Sequence, residues 1–102
     1  MQGLMMDGPL LVSGLLKHAD RHHGSTEIVS KTVEGAGKDG AGAVHRYTYR
    51  DAHSRARRLA NALKSLGARP TERIATLAWN GYRHFEIYYA VAGSGAVIHA
   101  LH

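Results

Sequence analysis

The sequence predicts an α/β fold: a small N-terminal β-hairpin followed by the first βαβ unit of a larger layered sheet. Three observations carry this expectation. Two runs rich in β-branched and aromatic residues, 27–33 and 44–49, flank a glycine-rich segment. An amphipathic helix pattern then runs from Thr48 to Gly67 between clear start and stop signals. Finally, two short apolar runs, 74–78 and 96–101, enclose a third helical pattern. Strand, helix and strand within about thirty residues imply a parallel pair joined by a right-handed crossover.

Taken in order, Pro9, Leu10, Leu11, Leu15, Leu16 and Ala19 give a short amphipathic helix that ends near Gly24. The first strand, 27–33, and the second, 44–49, are expected to pair as a hairpin. Between them Gly35 to Gly42 is too rich in glycine for regular structure and reads as a flexible turn insertion. Thr48 has the position of a helix N-cap, with Asp51 three residues on to complete a shorter version of the capping box. Ala52, Ala56, Leu59, Ala60 and Leu63 share one face of that helix, and Leu66-Gly67 followed by Pro70 closes it. The strand at 74–78 lacks strict alternation, as expected where both faces are covered. Asn80 is placed to cap the next helix, about 82–92, with Phe85, Tyr88, Tyr89 and Ala92 pointing inward. After Gly93-Ser94-Gly95, the last strand carries His99 as a buried, hydrogen-bonded sheet residue. A lone βαβ unit leaves sheet edges and faces open, so more chain is expected to cover them.

The bulk composition sets limits. A chain of 102 residues is one domain at most. Its 44% apolar and 21% charged residues argue against wholesale disorder. The absence of cysteine rules out a disulfide framework and a cysteine zinc site, and it fits a reducing cytosol, so the expected location is cytoplasmic. The N-terminus has no basic region before its apolar residues, which argues against a signal peptide. The most apolar stretch, 87–101, is too short to span a bilayer.

Several motifs fail on their context. Gly35-x-Gly37-x-x-Gly40 matches a dinucleotide-binding pattern, but a strand rather than a helix follows it. Gly37-Lys38 fails as a phosphate loop because Thr32 stands where the first glycine belongs and Asp39 where a magnesium-holding hydroxyl belongs. His18 and His22 share a helix face, but no third ligand is specified by spacing, so a solvated helix end is favoured over a metal site. A net charge of +5, with Arg50, Arg55, Arg57, Arg58, Lys64, Arg69 and Arg73 in mid-chain, raises nucleic-acid binding. No stacking aromatics interleave with those arginines, and a solvated face pairing in part with Asp51 or Glu72 is the plainer account. Asn80, at the carboxyl end of a strand where open α/β sheets place ligands, is a candidate pocket or interface residue as well as a cap.

A longer pattern joins these pieces. Tyr47-Thr48-Tyr49, Arg57-Arg58-Leu59-Ala60, Leu66-Gly67, Pro70, Arg73-Ile74-Ala75, Asn80, Tyr89-Ala90 and Gly95-Ala96-Val97 follow one another in this order. With Thr26-Glu27-Ile28-Val29-Ser30 and Ala78-Trp79-Asn80-Gly81-Tyr82-Arg83-His84, the sequence resembles the opening of the adenylate-forming, AMP-binding enzymes. Within them it is most similar to the fatty-acyl-CoA ligases, in the branch acting on medium- or long-chain fatty acids and on methylthio-propionate.

The resemblance implies a full enzyme that joins a carboxylate to AMP and then passes the acyl group to CoA, with ATP, magnesium and CoA as its cofactors. It also implies that the phosphate loop, the acidic magnesium-binding position and the assisting lysine lie downstream. No catalytic, cofactor-binding or metal-binding role is therefore carried over to any residue here. The chain is expected to be the N-terminal scaffold of such a ligase, with the remainder of the ligase as its partner. Two alternatives stay open: a non-catalytic remnant acting as an interaction module, and a small basic nucleic-acid-binding protein. Thr71-Glu72 stands where Gly-Asp is common in the family, read as a mild change at a turn. The end, His99-Ala100-Leu101-His102, departs from the expected His-Thr-Ile-Asn-Pro-Arg continuation, which points to a shifted or truncated reading frame or an incomplete gene model.

Overall fold

In a computed structural model that describes residues 3–32 and 43–101, the chain folds as α1 (Val12–His23), β1 (Glu27–Lys31), β2 (Val44–Thr48), α2 (Tyr49–Ser65), β3 (Arg73–Thr76), α3 (Tyr82–Gly93) and β4 (Val97–Ala100). The α/β class, the hairpin and the βαβ unit are all present. β1 and β2 pair antiparallel from Glu27 opposite Thr48 to Lys31 opposite Val44. β3 and β4 pair parallel, from Arg73 opposite Val97 to Thr76 opposite Ala100, with α3 as their crossover. The insertion from Gly35 to Gly42 lies outside the described residues.

Local chemistry sets the bounds of α2. The Thr48 hydroxyl accepts from the Asp51 backbone N–H at 3.3 Å, while Asp51 Oδ2 accepts from the Thr48 backbone N–H at 3.2 Å and from its hydroxyl at 2.9 Å. These bonds satisfy donors that a helix start otherwise leaves unpaired. At the other end the Ala68 N–H reaches the Leu63 carbonyl and the Gly67 N–H the Lys64 carbonyl, with Gly67 at φ 96°. This paired closure needs a left-handed residue, and glycine takes that conformation without steric cost.

The core lies where the three helices meet the hairpin. Leu16 of α1, Tyr47 of β2, Ala52 and Ala56 of α2, and Ala90 and Val91 of α3 are buried. Small alanines at the contact let α2 and α3 approach closely. The start of α2 is tied back to the turn before β1 by the Tyr49 N–H to Thr26 and the Arg50 N–H to Gly24. Gly24 is buried there, and a side chain at this position would press on the Asp20 carbonyl and the Arg50 guanidinium.

Four expectations are corrected. Gly81, not Asn80, is the N-cap of α3, and no side chain caps that helix. The buried residues of α3 are His84, Glu86, Ala90 and Val91, whereas Tyr88 is exposed and Phe85, Tyr89 and Ala92 are half-buried. The helix is covered from two sides, by the other helices and by the strands, so one apolar stripe does not describe it. β3 and β4 each alternate in burial instead of being covered on both faces. His99 falls on the open face and is exposed.

Thr71 is a larger departure than a mild turn change. Its φ is 71°, and its N–H is held by the Gly95 carbonyl at 2.9 Å. The Glu72 N–H reaches the Arg69 carbonyl across Pro70-Thr71, a turn whose third position favours glycine. A β-branched residue in the left-handed region is strained. Thr71→Gly is expected to stabilise the fold by about 0.5–1 kcal/mol, the relief of strain less the added chain entropy. A denaturant midpoint that falls instead would show the strain to be absent.

The capping box also makes a pH prediction. Hydrogen bonds from the Thr48 backbone and then its hydroxyl hold the Asp51 carboxyl below its ordinary value of 3.8. A depressed folded value means the contribution is present above the ordinary range and is lost as pH falls through the folded value. The wild-type chain should therefore lose more stability than Asp51→Asn between about pH 5 and about pH 2. Parallel denaturation of the two proteins across that range is the check.

Candidate functional site

Two polar clusters stand out, both organised by α3. The first begins with Glu86, a carboxylate only 5% exposed on the side of α3 that faces α2 and the hairpin. Its Oε1 accepts from Arg55 Nε at 2.6 Å, and this charged bond raises the arginine's already high pKa further. Burial, followed by the nearby Glu86 charge, pushes the Tyr47 phenol above the ordinary tyrosine range. Around this pair, His45 stacks on Tyr82 with ring centroids 3.6 Å apart and planes 11° apart, and Tyr47 meets Tyr82 edge-on. The Arg55 guanidinium lies 5.9 Å from the Tyr82 ring centroid. This cluster joins β2, α2 and α3 through one buried ion pair and the rings packed around it.

The second cluster lies at the carboxyl ends of β3 and β4. Thr76, the last residue of β3, is buried, and its hydroxyl is 3.1 Å from His84 Nε2. The loop 77–81 carries exposed Leu77, Trp79 and Asn80 across this end. Hollows of about 520 Å³ and about 450 Å³ lie on its two sides, and Trp79 and Asn80 line both.

A third cleft, about 530 Å³, separates the three helices, with Lys17, His53 and Arg57 among its walls. His53 Nδ1 is 2.6 Å from Asp20 Oδ2, and Arg50 Nε is 4.0 Å from Asp20 Oδ1. The mid-chain arginines are partly committed: Arg55 pairs with Glu86, and Arg50 lies beside Asp20. Glu72 accepts from the Arg69 backbone N–H.

His18 and His22 sit with ring centroids 4.6 Å apart, but among the described residues no group of three His, Asp or Glu side chains is placed to hold a metal. No described helix is long and apolar enough to cross a membrane. Sequence reasoning did not find His84, Glu86 or the Arg55 contact. The available signal was a cluster of charged or titratable side chains, Arg83, His84 and Glu86, at the start of a helix that is mainly apolar and aromatic after them.

Comparison with known proteins decides the family, because the AMP-binding enzyme family model matches residues 15–102. The chain belongs to the AMP-binding enzymes. It is 48% identical over 101 residues to 3-methylmercaptopropionyl-CoA ligase of Ruegeria lacuscaerulensis, a match covering 99% of the chain and 17% of that protein. It is 45% identical over 101 residues to medium-chain-fatty-acid–CoA ligase of Ectopseudomonas oleovorans, again over 99% of the chain and 17% of the relative. Long-chain-fatty-acid–CoA ligase of Thermus thermophilus is 42% identical over 95 residues, covering 93% of the chain and 16% of the relative. The chain spans about a sixth of the length of these AMP-binding relatives.

The Glu86–Arg55 pair yields a stability prediction. Removing the arginine leaves a buried carboxylate short of its strongest partner. Because Arg55 is itself half exposed, water offsets part of the loss. Arg55→Met is therefore expected to cost about 1–2 kcal/mol, below the range for a fully buried pair. In a double-mutant cycle with Glu86→Gln, a coupling near zero would remove the pair from the account.

Proposed function

We propose that this chain serves as the N-terminal scaffold of an ATP-dependent fatty-acyl-CoA ligase and does not catalyse alone. The single observation that carries the reading is the 48% identity across 99% of the chain to a CoA ligase six times its length. The full reaction would join a fatty or similar carboxylate to AMP with release of pyrophosphate, then transfer the acyl group to CoA. ATP, magnesium and CoA would be used by the whole enzyme. Here the chain's own contribution is the hairpin and βαβ unit, locked through Glu86 and ending in open strands β3 and β4. The partner in this reading is the remainder of a ligase chain, which would extend and cover that parallel pair.

A graft tests this. The 102 residues replace the matched segment of the Ectopseudomonas ligase, and octanoate-dependent exchange between ATP and pyrophosphate is measured for the graft and for the free chain. The expected result is exchange by the graft at a rate within about tenfold of the parent, a loss of no more than about 1.4 kcal/mol in the barrier, and none above blank by the free chain. Exchange by the free chain, or an inert graft that folds as the parent does, would overturn the reading.

A further inference from the structure

The cleft of about 530 Å³ between α1, α2 and α3 has walls of two kinds. Leu16, Ala56, Ala60 and Ala90 give it an apolar lining, and Tyr89 adds an aromatic ring. Lys17 of α1 and Arg57 of α2 bring positive charge to two different walls, with His53 one turn of α2 before Arg57. No carboxylate lines it. An apolar cleft of this size with a few polar groups has the form of a small-molecule site.

The two cations are unanswered. Arg55 is taken by Glu86 and Arg46 by Glu27. Asp20, the carboxylate that holds His53 Nδ1 at 2.6 Å, also lies 4.0 Å from Arg50 Nε. Lys17 and Arg57 are exposed, and among the described residues neither is within ion-pair distance of a carboxylate. Like charges lining one cleft repel each other, and an anion between them turns that repulsion into two charge-assisted hydrogen bonds.

Helical spacing gives the cleft a charged end and an apolar end. Asp20, one turn after Lys17, meets His53, one turn before Arg57, so α1 and α2 run antiparallel along it. In the other direction stand Ser13, one turn before Lys17, and Ala60, one turn after Arg57. Gly93 lies at that same end, where a β-carbon added to it would come within 3.9 Å of the Ser13 Cβ.

We propose that this cleft binds a small organic monocarboxylate, with its head between Lys17 and Arg57 and its apolar body toward Ala60, Tyr89 and Gly93. The planar fork of an arginine matches a carboxylate, and a lysine adds a mobile point charge beside it. The inference does not rest on the ligase reading, which puts the reaction outside this chain, whereas this site lies wholly within its three helices. It assigns binding and no chemical step.

The test titrates the ¹⁵N-labelled 102-residue chain with sodium octanoate at constant ionic strength. Saturable shifts are expected at the Ser13, Ala60, Tyr89 and Gly93 amides and at the Arg57 side chain. Acetate, which lacks the body, and octanamide, which lacks the charge, should each bind at least about tenfold more weakly. The exposed substitution Arg57→Gln should weaken octanoate by about tenfold, and Gly93→Leu, which fills the apolar end, should abolish saturation. Arg57→Gln decides the matter if Gly93→Leu fails to fold. Shifts centred on Leu77, Trp79 and Leu101, octanamide or inorganic phosphate binding as tightly as octanoate, or binding unchanged in Arg57→Gln would overturn the proposal. Because the titration reads binding by this chain alone, such a failure leaves the exchange activity of the graft untouched.

Discussion

A carboxylate buried in a helix of a small domain needs a partner, because an unpaired charge in that setting costs several kcal/mol. Glu86 imposes this requirement at the point where β2, α2 and α3 converge. Arg55 meets it from α2, and Tyr47 and Tyr82 pack around the pair. With Arg55 reaching across, α2 and α3 have one favourable register. The flat stacking of His45 on Tyr82 fixes the hairpin against α3 in turn. The apolar core, built of alanines with Leu16 and Val91, is too small to specify these placements by shape alone. Polar geometry supplies the specificity that volume does not.

This division explains which parts of the structure were legible in the sequence. Thr48 and Asp51 are three residues apart, and the Gly67 closure involves residues within five positions of each other, so local chemistry announces both ends of α2. The hairpin and the βαβ order follow from periodicity and turn residues for the same reason. The buried face of α3 was not legible. Spacing pointed to Phe85, Tyr88, Tyr89 and Ala92, but the partners that bury His84 and Glu86 lie 8 and 31 residues away. An ionisable residue in a helix reads as exposed until the group that satisfies it is known.

Position 71 shows a related gap. Composition marks a turn after Pro70, and the family pattern favours glycine one place later, but only the backbone reveals why. The Thr71 N–H must meet the Gly95 carbonyl to bring β3 alongside β4, and that direction requires a positive φ. Pairing between the two strands holds the residue in a conformation that its own side chain disfavours. The strain is local and its cause is not, so the residue type alone makes the change look small.

The same logic bears on the loop 77–81. A loop is placed most precisely when rigid elements on both sides hold its ends. α3 is anchored through Glu86 in its second turn and through His84 to the end of β3, so the positions of Gly81 and the first-turn N–H groups follow from contacts on both sides. Trp79 and Asn80 extend from this frame into open space without contributing to the core. The buried polar pairs therefore serve two ends at once: they align the hairpin with the helices, and they hold the start of α3 toward the hollows at the strand ends. A change at Glu86 would accordingly be felt at the loop without touching it, through the orientation of the helix that both share.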